Sequence, residues 1–313
     1  MKTSKPHFII AGERRSGTTT LYDLLCKHTE IGMLNISDYD FFIEPELFSK
    51  VQPRDSRLGN WEDNHDISDY WELFSDHSEP VIGQKDADLL WWKSSHERLA
   101  KFLPDTKFII VLRNPVRRAE SHYFNELSKG REKLSFREAI DREEKTELTD
   151  WECLHLQYKA RGCYAKSLTE FYKYISKEKV KIVILEELIN NYEVEIESIC
   201  NFLEINQKEL INLNPIHSNK EKLLKRRAFA KTLPLRKIFD LWERLVEGVI
   251  VRVTKNKSKR EIFRKYLMSF YKYSKRNNSS NSDNDSVKLY LENYYKKYNI
   301  ELETLIKRPL KYW

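Results

Sequence analysis

"HFIIAGERRSGTTTLYDLL", His7 to Leu25, decides the fold. Phe8-Ile9-Ile10-Ala11 is a short, apolar, β-branched run that reads as a buried parallel strand. Thr19 to Lys27 places Leu21, Leu24 and Leu25 at helical spacing. Between them Gly12 and Gly17 bracket a strand-to-helix turn. In such a turn consecutive amides point inward and the helix N-terminus adds partial positive charge, so an anion is stabilised there. Ser16, Thr18 and Thr19 supply hydroxyl donors, and Arg14 and Arg15 supply charge. A nucleoside triphosphatase carries lysine after the second glycine, to reach the outer phosphates. Here that residue is Thr18, and the cation stands two residues before Gly17, at Arg15. The shift suits a ligand with less terminal charge and no metal. An ordinary glycine-containing turn with solvated arginines is the alternative; the run Arg-Ser-Gly-Thr-Thr between strand and helix favours the anion.

The same strand-then-helix pattern recurs outward from this stretch. Phe108 to Leu112 and Val180 to Leu185 read as further buried strands, followed by helices over Val116–Leu127 and Glu193–Leu203. A fourth strand is expected over Pro80–Lys85. This alternation predicts an α/β, P-loop-like three-layer fold, with a central mostly parallel sheet flanked by helices. A long amphipathic helix pair is expected between Asp150 and Ser176. Near the C-terminal end a basic helical insertion is expected over about 235–285, with a mobile loop at 274–286 and a last helix over Val287–Tyr298.

The 313 residues, 40% hydrophobic and 12% aromatic, fit a single globular domain spanning 1–313 and exclude a disordered chain. Charges interrupt every apolar stretch, so no membrane span is expected. No apolar signal region opens the sequence, which, taken as a whole chain, predicts a cytoplasmic protein. The four cysteines lack metal-type spacing and read as reduced thiols; the eight histidines form no ligand pair. The net charge of +7 is uneven. From Lys220 to Arg276 basic residues outnumber acids roughly four to one, enough for peripheral contact with an anionic membrane or polyanion. No nucleic-acid partner is expected.

"FIIVLRNPVRRAESHYFNE", Phe108 to Glu126, carries the second signal. Its strand delivers Arg113, Pro115 starts a helix at a favoured position, and Ser121 lies two turns on. An Arg and a Ser so placed would grip a second phosphate. Anion sites at the carboxyl ends of two parallel strands suit a nucleotide with phosphates at both ends of its ribose.

The two stretches resemble the phosphosulfate loop and the 3′-phosphate motif of the sulfotransferases that use 3′-phosphoadenosine 5′-phosphosulfate (PAPS). The likeness is nearest to the carbohydrate and heparan-sulfate-type branch and its bacterial relatives. The first motif matches as Gly12-Glu13-Arg14-Arg15-Ser16-Gly17-Thr18-Thr19-Thr20-Leu21. The second matches at Leu112-Arg113-Asn114-Pro115, Arg118, Ser121 and Tyr123. "RGCYAKSLTEFYKYI", "KIVILEELINNYEVEIESICNFLEI" and "LIKRPLKYW" follow in the order of the family's later elements.

The resemblance implies PAPS as donor, the bisphosphate PAP as product, and no metal. Gly12, Arg14, Arg15, Ser16, Gly17, Thr18, Thr19, Arg113 and Ser121 would hold the nucleotide. Arg15 falls on the family's catalytic basic position, often a lysine; arginine stays charged, so its role would be electrostatic. In "SDYDFFIEPELF" Asp38 falls on the position of the general base, with Asp40 and then Glu44 as rivals. Lys85 falls where the family places a lysine near the reacting centre, or is a surface lysine. Asp86 and Asp88 beside it would hold it or touch acceptor. Trp91 and Trp92 would stack on a sugar ring or pack in the core. Tyr164 would contact the 3′-phosphate or adenine, or be a core tyrosine. Arg226 and Arg227 fall on a basic loop closing over the nucleotide, and His122 reads as structural.

The expected function is sulfuryl transfer from PAPS by in-line displacement to a saccharide, glycolipid or small hydroxylated acceptor. Two rivals stand beside it. One is a P-loop nucleotide kinase, against which Thr18 and the Arg113/Ser121 pair count. The other is a noncatalytic polyanion- or membrane-binding protein acting through 220–276.

Overall fold

The computed structural model describes residues 5–34, 67–211 and 281–313. Five strands form one sheet: β1 (Phe8–Ile10), β2 (Ile31–Met33), β3 (Val81–Lys85), β4 (Lys107–Leu112) and β5 (Val180–Ile184). The order is β2-β3-β1-β4-β5, and every pairing is parallel. The four expected strands are present within a residue or two of their expected bounds. Strand β2, Ile31-Gly32-Met33, was not foreseen.

Parallel strands in mid-sheet are covered on both faces, which is why β1, and β4 after its first residue Lys107, are apolar on both sides of the pleat. Ile9, Phe108, Ile110 and Leu112 face one layer, where they meet Leu99 of α3 (Ser94–Phe102) and Leu168 and Phe171 of α7 (Tyr164–Phe171). Phe8, Ile10, Ile109 and Val111 face the other. There they meet Leu21 and Leu25 of α1 (Thr18–Leu25) and Ile196 and Ile199 of α9 (Tyr192–Leu203). A third cluster joins α4 (Pro115–Ser128), α5 (Phe136–Lys145) and α11 (Asn281–Ile306) through Tyr123, Phe136, Ile140, Val287, Leu291 and Tyr295. The remaining described helices are α2 (Ile67–Glu72), α6 (Asp150–His155), α8 (Leu185–Asn190) and α10 (Lys208–Ile211).

Two expectations are corrected. The long helix pair between Asp150 and Ser176 is α6, a 3-10 turn at Ala160–Gly162, and α7. The chain leaves the helix because the Glu143 carboxylate accepts the amides of Tyr158, Lys159 and Ala160, at 2.5, 2.7 and 2.9 Å, in place of helical carbonyls. The mobile loop expected at 274–286 is helical from Asn281, and α11 runs eight residues past Tyr298 to Ile306. Burial of Val287, Leu291, Tyr295, Tyr298 and Leu302 against the body supports α11 where its polar composition alone would not. The rest of the basic insertion lies outside the described residues.

Candidate active site

The turn after β1 continues the sheet before it turns into α1. Ala11 N donates to Ile109 O at 2.9 Å and Glu13 N to Val111 O at 2.8 Å, so the loop is held against β4. Gly12 and Gly17 have φ of 152° and 100°, and a Cβ on Gly12 would lie 2.8 Å from Leu90 Cβ. Side chains are excluded at both positions by backbone and by space. Arg15 also has a left-handed φ, 67°, which is unfavourable for a non-glycine residue. Helix α1 starts at Thr18 without a side-chain cap among the described residues. Its first-turn amides therefore have no acceptor within the helix.

Strand β4, adjacent to β1, delivers Arg113. Asn114 then caps α4, its Oδ1 accepting the amides of Val116 and Arg117 at 3.1 Å each, with Pro115 first in the helix. The two motifs meet. Arg113 Nη1 donates to Arg15 O at 3.2 Å, and Arg15 Nε donates to Ser121 Oγ at 3.2 Å. The Tyr164 hydroxyl donates to Arg113 O at 2.8 Å. Partial burial pushes the Arg113 guanidinium down from its ordinary value, and Glu186 opposes this.

In front of the loop lies a cavity of about 250 Å³. Arg14, Arg15, Thr18 and Thr19 line it from the loop and α1, Lys85 and Ala87 from the end of β3, and Asn125, Glu126, Lys129 and Arg131 from α4 and the turn beyond. Five cationic side chains thus border it against one carboxylate. Lys85 is 9% exposed, with Nζ 5.7 Å from the Tyr22 ring centroid. Glu126 is buried and pairs with Lys129 at 3.3 Å and Arg131 at 3.2 Å.

Beneath the loop is a buried ionic network. Arg161, from the 3-10 turn, is 0% exposed. It contacts Glu13 Oε1 at 2.6 Å and Asp88 Oδ1 at 2.5 Å through Nη2, and donates to Leu154 O at 3.1 Å through Nη1. Arg14 donates to Asp88 from Nε at 3.0 Å and pairs with it again through Nη2. Burial alone would raise Asp88, but the guanidinium groups of Arg14 and Arg161 hold it down at about 2. Burial pushes the Glu13 carboxyl up, against the pull of Arg161. His155 Nδ1 lies 3.1 Å from Arg14 Nη1 and 3.2 Å from Arg131 Nη1. Both partners can only donate, so Nδ1 is the acceptor of a neutral imidazole. Burial and the two cations press the His155 pKa down to about 3.

The structure brings together Gly12, Arg14, Arg15, Ser16, Gly17, Thr18, Thr19, Lys85, Arg113, Ser121 and Tyr164 around the tips of β1, β3 and β4. Within that set Arg14 is engaged by Asp88 and His155, and the buried Tyr164 hydroxyl by the Arg113 carbonyl. Trp91 lies under the Arg161 guanidinium, 5.5 Å from ring centroid to Cζ, and Trp92 packs on Leu154. Asp86 accepts the Asp88 amide at 3.0 Å. His122 is fully buried, and burial with the Arg118 charge drives its pKa well below the usual value. Asp38, Asp40, Glu44, Arg226 and Arg227 lie outside the described residues. Reading the sequence alone missed Glu13, Arg161, His155, Glu126, Lys129 and Arg131. Glu13, Glu126 and Arg161 lay inside quoted stretches, and the charge of Glu13 directly after a buried strand was the available signal.

The profile described as "Sulfotransferase family" matches residues 6–209. The chain is 25% identical over 273 residues to carbohydrate sulfotransferase 15 of Mus musculus, covering 70% of this chain and 46% of that protein. It is 26% identical over 200 residues to heparan sulfate glucosamine 3-O-sulfotransferase 6 of Homo sapiens, covering 63% of this chain and 52% of that protein. The chain thus spans about half the length of these curated relatives. A sulfotransferase from Alicyclobacillus acidocaldarius superimposes with a TM-score of 0.56 at 28% identity, covering 65% of this chain and 83% of that one.

Proposed function

The chain belongs to the sulfotransferase family, and from that premise we propose that it transfers a sulfuryl group from PAPS to a hydroxyl of a saccharide-containing acceptor, with an amine or a small hydroxylated molecule as second choices. The observation that carries this reading is the Arg113–Arg15–Ser121 chain of contacts, which joins a loop at the tip of β1 to a second cationic site at the tip of β4. One ligand with anionic groups at both ends of a ribose fits such a pair. The donor set fits PAPS: main-chain amides and Arg15 for the 5′-phosphosulfate, Arg113 and Ser121 for the 3′-phosphate. Similarity to a carbohydrate and a heparan sulfate glucosamine sulfotransferase supports a saccharide acceptor.

PAPS, when bound, supplies an activated sulfuryl group with a phosphate as leaving group. The protein aligns the acceptor oxygen with that bond and meets charge on the sulfuryl and bridging oxygens. Arg15 and the first-turn amides of α1 provide fixed positive potential there, and sulfate carries less charge than phosphate, so the chain needs no metal for this role. Lys85, which lines the same cavity, adds a second cation. Asp38 takes the acceptor proton, with Asp40 and Glu44 as its rivals. The basic residues between 220 and 276 bring it to anionic surfaces or acceptors.

The test has two parts. PAP should raise the melting temperature without metal, and ATP with magnesium should not. Radiolabelled PAPS should then yield labelled product in a screen of glycans, glycolipids and small hydroxylated metabolites. Stabilisation by ATP with magnesium alone, and no transfer to any acceptor, would sink the reading.

A further inference from the structure

The Arg113–Asn114 peptide is pinned on both sides, and both pins lead to one residue. The Arg113 carbonyl accepts from Tyr164 OH at 2.8 Å. The Asn114 amide donates to Glu186 Oε1 at 3.1 Å. Trp313 touches both partners: its Nε1 donates to Glu186 Oε2 at 3.1 Å, and its ring meets the Tyr164 ring at 5.7 Å and 56°. The segment carrying Trp313 is itself anchored. Arg308 pairs with Glu187 of α8 and Glu195 of α9, Leu310 N donates to Glu303 Oε1 at 2.7 Å, and Leu310 is buried in the same cluster as Tyr164.

Glu186 stands where a carboxylate is an obstacle. It is 7% exposed and close enough to Arg113 to act on its charge. A carboxylate beside an anion site competes with the incoming anion for the cation. In the structure each Glu186 oxygen takes an N–H donor, one from Asn114 and one from Trp313, and neither is paired with the Arg113 guanidinium. The indole N–H is the donor that turns the second oxygen away.

We propose that Trp313 is a positioning residue for the second anion site: by holding Glu186 on the Asn114 amide and backing Tyr164, it keeps the Arg113 guanidinium available to a 3′-phosphate. This rests on the reading of Arg113 and Ser121 as the 3′-phosphate site. Without the indole N–H, Glu186 swings to Arg113 and screens it. The 5′ end of the nucleotide, held by the loop after β1, is untouched.

Calorimetric titration of the full chain with PAP and with AMP tests this, because the two ligands differ only in the 3′-phosphate. Wild type binds PAP more tightly than AMP. Trp313→Phe, which keeps an aromatic ring and loses the N–H, weakens PAP about tenfold or more, the scale of one hydrogen bond to a charged group, and leaves AMP unchanged. Adding Glu186→Gln to Trp313→Phe restores PAP affinity, since an amide cannot neutralise Arg113. In wild type, exchange of the Trp313 indole proton followed by NMR slows with PAP and not with AMP, a readout that needs no variant. An unchanged PAP-to-AMP ratio in Trp313→Phe, an equal loss for both ligands, no recovery in the double variant, or equal indole exchange overturns the proposal. If wild type itself shows no preference for PAP, the 3′-phosphate reading fails, and this inference with it.

Discussion

Arg113 reaches across from the tip of β4 and donates to the main-chain carbonyl of Arg15, 3.2 Å away, in the loop after β1. The contact makes the two candidate anion sites one mechanical unit, since the carbonyl it holds belongs to the residue with the left-handed φ of 67°. Arg113→Ala removes both the charge at the second site and this support. PAP affinity should fall about ten- to hundredfold, the range for losing a charge-assisted hydrogen bond, while AMP affinity changes by less than about threefold. Equal losses for the two nucleotides would place Arg113 in loop support alone.

Arg15 is the loop's exposed cation, and its Nε is directed to Ser121. Arg15→Ala should lower kcat/KM for sulfuryl transfer by about 10²–10³, as loss of one preorganised donor to developing charge does. Arg15→Lys should retain part of the rate, because the charge survives while the planar fork that reaches Ser121 does not. Steady-state rates with labelled PAPS decide it, and full activity in Arg15→Ala contradicts the assignment.

The base is the remaining role. Under the proposed function Asp38, in "SDYDFFIEPELF", is the base, and Lys85, Arg15 and Lys129 border the cavity in front of the loop. Asp38→Asn should abolish turnover by at least about 10²-fold, the contribution of a positioned general base, and leave PAP affinity within twofold or so. An active Asp38→Asn passes the role to Asp40 or Glu44.

What the sequence disclosed was local. The loop and the Arg113 motif each occupy about a dozen consecutive residues, and the alternation of strands and helices is local too, so the sheet and the two motif turns at its strand tips could be read directly. Ile31-Gly32-Met33 is too short for alternation to register, and β2 was invisible for that reason. Arg161 meets Glu13 across 148 positions and Asp88 across 73, and Trp313 meets Glu186 across 127. Such pairs are set by the packing of the 3-10 turn and of α8 under the loop, and a one-dimensional pattern carries no trace of them. The acids at 38, 40 and 44 stayed unresolved in the sequence because one short stretch carries several carboxylates and spacing alone does not say which one meets an acceptor.

Arg161 should matter for stability more than for chemistry. It is fully buried, and its guanidinium serves two buried carboxylates at 2.6 and 2.5 Å. Arg161→Met leaves Glu13 with an uncompensated buried charge and should destabilise the fold by about 3–5 kcal/mol. Joining it with Glu13→Gln and Asp88→Asn should recover part of that loss, since removing a buried ionic cluster entire is milder than orphaning its anions. Urea denaturation of the single and triple variants measures both, and a loss below about 1 kcal/mol in Arg161→Met shows the network to be dispensable.

His155 gives the fold an acid-sensitive joint. It sits neutral between Arg14 and Arg131, with burial and those two charges holding its pKa at about 3. In the unfolded chain a histidine titrates near 6.5, or about that value. Between the two pKa values the unfolded state binds one proton more, so stability is complete above pH 6.5 or so and declines as pH falls toward about 3, by about 1.4 kcal/mol per unit. His122, also buried and also pushed down, adds to the same decline. Asp88, held at about 2, adds its own loss only as pH falls below the ordinary carboxylate range. His155→Gln preserves an acceptor for both arginines and carries no titrating proton. Its stability, followed by urea denaturation from pH 7 to pH 4 or thereabouts, should therefore fall less steeply than that of wild type by close to one proton per molecule. Parallel curves for the two proteins would mean that the imidazole is charged in the folded state, and that Arg14 and Arg131 do not share it as an acceptor.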